Sequence, residues 1–168
     1  MGKKETQKSS KPRRGESFMS HTYTQLYTHI VFSTKNRFPF IDKELRTRIF
    51  PYMGGIIREL DGKPILVNGV ADHIHILAAL PARMAVSDVL RTIKTNSSKW
   101  VHEQFPVRSK FAWQTGYGAF SVSCRDVESV RDYIANQEEH HRHVTFQEEV
   151  LQFLKEYEVK YDERYLWD

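Results

Sequence analysis

The stretch that most constrains the fold is "KPILVNGVADHIHILAAL", residues 63–80. It holds two short apolar runs, each too short for a stable helix, separated by turn residues. They predict adjacent antiparallel strands over 64–70 and 73–80, with the turn at Asn68-Gly69 or Ala71-Asp72. On both sides the hydrophobic period changes. "IDKELRTRIFPYMGGIIRELD" repeats Leu45, Ile49, Tyr52, Ile56 and Leu60 near the helical period behind an Asp42 N-cap, with a kink or break expected at Pro51 and Gly54-Gly55. "SDVLRTIKTNSSKWVHEQF" reads as a second helix capped by Ser87, with Val89, Ile93, Trp100 and Val101 on one side.

Two further alternating segments flank these. Residues 23–32 read as a strand, and "FAWQTGYGAFSVS" as a fourth strand weakened or bulged at Gly116 and Gly118. A third helix is expected from Asp126, where Ser123 and Asp126 have capping-box spacing, and an acidic amphipathic helix with an aromatic end over 144–168. The order β-α-β-β-α-β-α predicts an α+β, ferredoxin-like (RRM-like) fold. It has one four-stranded antiparallel sheet with two helices on one face and an additional C-terminal tyrosine-bearing helix.

Charge divides the chain into three. Residues 1–20 carry six Lys/Arg against two Asp/Glu and read as a disordered basic tail. Residues 21–146 form the candidate catalytic domain, and 147–168 an acidic C-terminal helix or tail. A basic body suits a polyanionic partner. No apolar run approaches a membrane span and the N-terminus lacks an apolar signal region, so a cytoplasmic protein is expected. The single cysteine, Cys124, excludes an intrachain disulfide.

The chemistry concentrates at "HIH". In a strand, alternate side chains face opposite ways, so Ile74 and Ile76 would meet the two helices while His73 and His75 share the other face. Two imidazoles about 6–7 Å apart at their Cα atoms can chelate a divalent metal, or can pair with carboxylates and water. On the third helix Tyr133 and Gln137 lie one turn apart, a phenol beside a carboxamide oxygen. That oxygen suits a hard ion such as Mg²⁺ or Mn²⁺ better than zinc. The "HHRH" run at 140–143 is a separate candidate for metal or for the helix dipole.

Taken together, "HIVFSTKNR", "VNGVADHIHIL", "SSKW", "WQTGYGAFSVS" and "YIANQ" resemble the HUH single-tyrosine transposases of small bacterial insertion sequences (the IS-two-hundred/IS-six-hundred-five group). The likeness runs from about residue 21 to 146. HUH denotes His-hydrophobic-His, here His73-Ile74-His75. The resemblance implies cleavage and rejoining of single-stranded DNA beside hairpins at the ends of the element. It implies that His73, His75 and Gln137 hold one Mg²⁺ or Mn²⁺ ion and that Tyr133 forms a 5′-phosphotyrosine link. It also implies a homodimer, with the site possibly shared between subunits.

Supporting DNA contacts are expected from Arg83, Arg91, Lys94 and Lys99 around the second helix, and base stacking from Trp113, Tyr117 or Phe120. His29 and His102 read as structural. Two other functions fit parts of the pattern: a non-catalytic RRM-like RNA-binding module, through "TGYGAFSVS", and a metal-dependent hydrolase without a tyrosine nucleophile.

Overall fold

A computed structural model describes residues 23–167; the basic tail expected over 1–20 lies outside the described residues. The strands are β1 (Tyr27–Ser33), β2 (Lys63–Gly69), β3 (His73–Ala79) and β4 (Gly118–Ser121). They form one antiparallel sheet in the order β2-β3-β1-β4. Helices α1 (Lys43–Glu59) and α2 (Val86–Gln104) are the two crossovers. They are followed by α3 (Val127–Ala135), the single turn α4 (Gln137–His140) and α5 (Phe146–Glu156). This is the ferredoxin-like arrangement expected from the sequence.

Strand parity divides the molecule. Ile30, Phe32, Ile74, Ile76 and Ala78 face α1 and α2, where they pack with Ile49, Met53, Ile57, Leu90 and Ile93. The opposite face carries Val31, Leu77 and the histidines of β1 and β3. Two apolar clusters cover it. Ile134 and Val122 pack on Leu77, and Phe146 and Leu154 of α5 pack on Val31 and Phe120. The sheet is therefore a middle layer between helices. No helix among the described residues is long and apolar enough to cross a membrane.

Several boundaries differ from expectation. α1 runs unbroken through Pro51. The carbonyl that loses its helical partner there belongs to Thr47, an exposed residue. α2 begins at Val86 with Ala85 as N-cap, two residues ahead of the start implied by a Ser87 cap. The Ala85 carbonyl accepts from the amides of Asp88 and Val89, and the Asp88 carboxylate favours the helix start. The capping box expected ahead of α3 is only half formed: Ser123 Oγ accepts from the Arg125 amide at 3.2 Å, while the Asp126 side chain caps no amide of α3. The fourth strand shrinks to four residues, with Trp113 reaching β1 only through an isolated bridge to Thr34. The C-terminal helix ends at Glu156. Beyond it Glu158 takes a left-handed conformation, and Leu166 and Trp167 fold back onto the α5 cluster.

The β2–β3 turn is 70–72, so of the two expected turns Ala71-Asp72 is the one formed. Gly69 makes it possible: a Cβ there would lie 2.3 Å from the His73 carbonyl oxygen and 2.7 Å from Ile74 Cα. That close approach fixes where His73 enters the sheet.

Candidate active site

His73 and His75 stand on one face of β3, both buried. Register places Ser33 opposite His73 and Val31 opposite His75 on β1. Asp72 Oδ1 lies 2.7 Å from His73 Nδ1, and His29 Nε2 lies 2.9 Å from His75 Nδ1. Each inner nitrogen is thus engaged, and both Nε2 atoms turn towards the covering helices. His29 therefore belongs to the site as the partner that orients His75. His102 keeps its structural role and donates to the Phe111 carbonyl at 2.8 Å.

The covering helices bring the rest. α3 sets Tyr133 with its ring edge-on to His75, centroids 6.2 Å apart. Gln137, at the start of α4, is fully buried; its Nε2 donates to Glu149 Oε1 at 3.3 Å and its Oε1 has no partner. His141 follows α4, and its Nε2 lies 2.8 Å from His73 Nε2, one nitrogen donating and the other accepting. Glu149 of α5 reaches into the centre. Its Oε2 lies 3.3 Å from His75 Nε2, 3.4 Å from His141 Nε2 and 3.8 Å from His73 Nε2. Its Oε1 accepts the Tyr133 hydroxyl. His140 Nε2 lies 3.3 Å from the same hydroxyl.

The electrostatics follow from burial. Burial, reinforced by the neighbouring His75 ring, lowers the pKa of His29 to about 3. His75 is also lowered, chiefly by burial, so both rings are neutral and their lone pairs are available. Burial opposes the charge on Glu149, but the imidazoles of His141 and His75 close beside it, with the Tyr133 hydroxyl, outweigh that and hold the carboxyl well below the usual carboxylate range. Burial and the Glu149 contact push the Tyr133 phenol well above its ordinary value.

Donor atoms of His73, His75, His141 and Glu149 all lie within 4.8 Å of one another. His75 Nε2, Glu149 Oε2 and Gln137 Oε1 are buried without hydrogen-bond partners. Buried polar atoms are nearly always paired. Orphan His75 Nε2 and Glu149 Oε2, 3.3 Å apart beside the Nε2 atoms of His73 and His141, fit a divalent cation.

The other expected residues lie elsewhere. Arg83 follows the far end of β3 and pairs with Asp61 at 2.6 Å. Arg91 pairs with half-buried Asp88, and Lys99 lies 3.8 Å from Glu103; both basic side chains are exposed on α2, across the sheet from the histidines. Lys94 is half-buried, and its ammonium donates to the carbonyls of Gln114, Thr115 and Gly116. Burial lowers its pKa to about 8. Trp113 packs edge-on against Phe32 and Phe111 and donates to Ser97 Oγ. Phe120 is buried beneath α5, whereas Tyr117 is exposed.

Sequence reasoning missed Glu149 and did not join His141 to His73. A signal for Glu149 was present. The apolar face of α5 runs Phe146, Val150, Phe153 and Leu154, and Glu149 falls on that face at helical spacing. A charge at a core position calls for a partner.

Comparison with known proteins adds the lineage. The family model described as "Transposase IS200 like" matches residues 22–137. This chain belongs to the IS200-like transposase family. It is 31% identical over 131 residues to the transposase for insertion sequence element IS200 of Salmonella typhimurium, and equally to that of Salmonella typhi. Each match covers 73% of this chain and 83% of the relative. Among solved structures it resembles a putative transposase from Deinococcus radiodurans (TM-score 0.57, 20% identity, 76% of this chain and 98% of that one). It also resembles a REP-associated tyrosine transposase bound to a REP hairpin (TM-score 0.56, 17% identity, 81% of this chain and 76% of that one). Both likenesses support the fold.

Proposed function

We propose that this IS200-like transposase cleaves and rejoins single-stranded DNA beside hairpins through a 5′-phosphotyrosine intermediate on Tyr133. The observation that carries the reading is convergence within one protomer. The Tyr133 hydroxyl and His75 Nε2 contact opposite oxygens of a single carboxylate, so nucleophile and imidazole pair address the same small volume.

His73, His75 and Gln137 would hold Mg²⁺ or Mn²⁺. Such an ion, when bound, polarises a phosphate and stabilises the charge that develops on it. The chain's own groups do the rest. The phenol oxygen releases its proton and bonds to phosphorus, the bond to the 3′ oxygen breaks, and that oxygen takes up a proton to leave as a 3′-hydroxyl, so no net proton is gained or lost. Reversal with another 3′-hydroxyl rejoins the strand with no nucleotide consumed, because the covalent link keeps the phosphodiester energy. Outside the centre, Arg83, Arg91, Lys99 and Tyr117 are the exposed candidates for DNA contact. A homodimer is part of the proposal, with the site either completed within one subunit or shared between two.

The test is incubation of labelled hairpin single strands with the protein and Mg²⁺ or Mn²⁺. An SDS-stable protein–DNA adduct is expected, absent in Tyr133→Phe. His73→Ala and His75→Ala should abolish cleavage while largely sparing hairpin binding. Cleavage without an adduct that survives Tyr133→Phe would identify a hydrolase. Binding with the strand left whole would identify an RRM-like binder.

A further inference from the structure

We propose that Glu149 and His141, both beyond the stretch that the family model matches, complete the ion site, and that Glu149 positions the nucleophile by bridging ion and Tyr133. The inference rests on the proposed function above, for it concerns the same centre.

Three observations carry it. First, Glu149 occupies a core position. Its neighbour Glu148 closes the capping box with Thr145 in the open, whereas Glu149 is 1% exposed and sits among Phe146, Val150 and Phe153. A buried carboxylate is costly unless strongly paired, and no Lys or Arg is recorded within ion-pair distance of it; every ion-pair partner recorded for it among the described residues is a histidine. A divalent cation would balance that charge.

Second, the two oxygens are divided. Oε2 faces the Nε2 atoms of His73, His75 and His141, and Oε1 faces the Tyr133 hydroxyl and Gln137 Nε2. One rigid group therefore fixes the phenol oxygen relative to the ion.

Third, His141 is aimed. Val144 O lies 2.7 Å from its Nδ1, which leaves Nε2 directed at the cluster, the arrangement usual for a histidine ligand. Gln137 then has its amide nitrogen on Glu149 and its orphan oxygen free for the same ion. A centre with three imidazoles is softer than an all-oxygen site and should favour Mn²⁺ over Mg²⁺.

The experiment is Mn²⁺ titration of the full chain without DNA, by calorimetry. Glu149→Gln and His141→Ala should each bind Mn²⁺ about 100-fold more weakly than the unmodified protein; affinities within threefold of it would overturn the ligand set. Electron spin-echo spectroscopy of the unmodified Mn²⁺ protein gives a reading independent of any variant's folding. Three coordinated imidazole nitrogens are expected, and two would overturn His141. For the bridge, Glu149→Asp keeps the charge but is one methylene too short to reach both partners. At saturating Mn²⁺ its adduct formation should slow at least about tenfold with hairpin affinity unchanged; an unchanged rate overturns the positioning role. Failure of the unmodified protein to bind Mn²⁺ at all would instead remove the ion from the proposed function.

Discussion

Replacing Gly69 by alanine would drive a methyl group into backbone. The added carbon would lie 2.3 Å from the His73 carbonyl oxygen and 2.7 Å from Ile74 Cα, against the 3.0 Å that real contacts of this kind respect. Neither atom belongs to a side chain that could rotate away, so the 70–72 turn must open by roughly 0.7 Å or more. Overpacking of this kind costs about 1–3 kcal/mol, and more where it distorts backbone. At roughly 2–4 °C per kcal/mol for a chain of this size, melting should fall by about 2–12 °C. The displacement falls on His73, so Mn²⁺ affinity should drop as well. Gly55 supplies the control. It lies inside α1 with nothing within 4 Å of an added Cβ, and alanine there should raise stability by about 0.5–1 kcal/mol. Thermal melts and Mn²⁺ calorimetry on the two variants check both. A Gly69→Ala protein that melts within a degree of the unmodified one and binds Mn²⁺ equally would refute the claim that this close approach sets the site.

Two further outcomes are expected. His29 is neutral when folded, with its pKa lowered to about 3, and titrates near 6.5 when unfolded; the unfolded chain then binds the extra proton, so stability falls as pH drops from 6.5 towards 3. The loss should be on the order of a few kcal/mol from this residue in the metal-free protein. Melting followed across that range should show it, with a shallower slope in His29→Phe; identical slopes would refute a buried neutral ring. Lys94→Met removes the tie to three loop carbonyls and should cost about 1–3 kcal/mol in denaturant melts. The salt dependence of hairpin binding should not change; a loss of slope of about one would restore Lys94 to the phosphate contacts.

The fold was legible where period and punctuation agreed. Residues 63–80, bounded by two helical stretches, fixed a hairpin inside a split β-α-β pattern, and alternation placed His73 and His75 on the face opposite Ile74 and Ile76. Helix ends were less legible. The cap at Ala85 uses no side chain, and the carbonyl that Pro51 frees belongs to an exposed residue, Thr47. The strand over 111–123 misled because Trp113 alternates with the right neighbours yet is held by Phe32, Phe111 and Ser97 away from the ladder. Within the site, Tyr133 and Gln137 were picked out by the spacing of one expected helix, which the structure divides at Asn136 into α3 and α4. His141 and Glu149 depend on how α4 and α5 fold over the sheet, a tertiary fact that local spacing does not encode. The roles of Lys94, Trp113 and Phe120 were hidden for the same reason, since a cation or an aromatic ring looks alike in sequence whether it meets a phosphate, a base or its own loop.

The roof over the histidine face has a practical consequence for anyone trimming this chain. The family match stops at residue 137, which invites a shorter expression fragment ending there. Such a fragment would discard Phe146 and Leu154 and lay bare Val31 and Phe120, an oily strip along the middle of a sheet and an invitation to self-association.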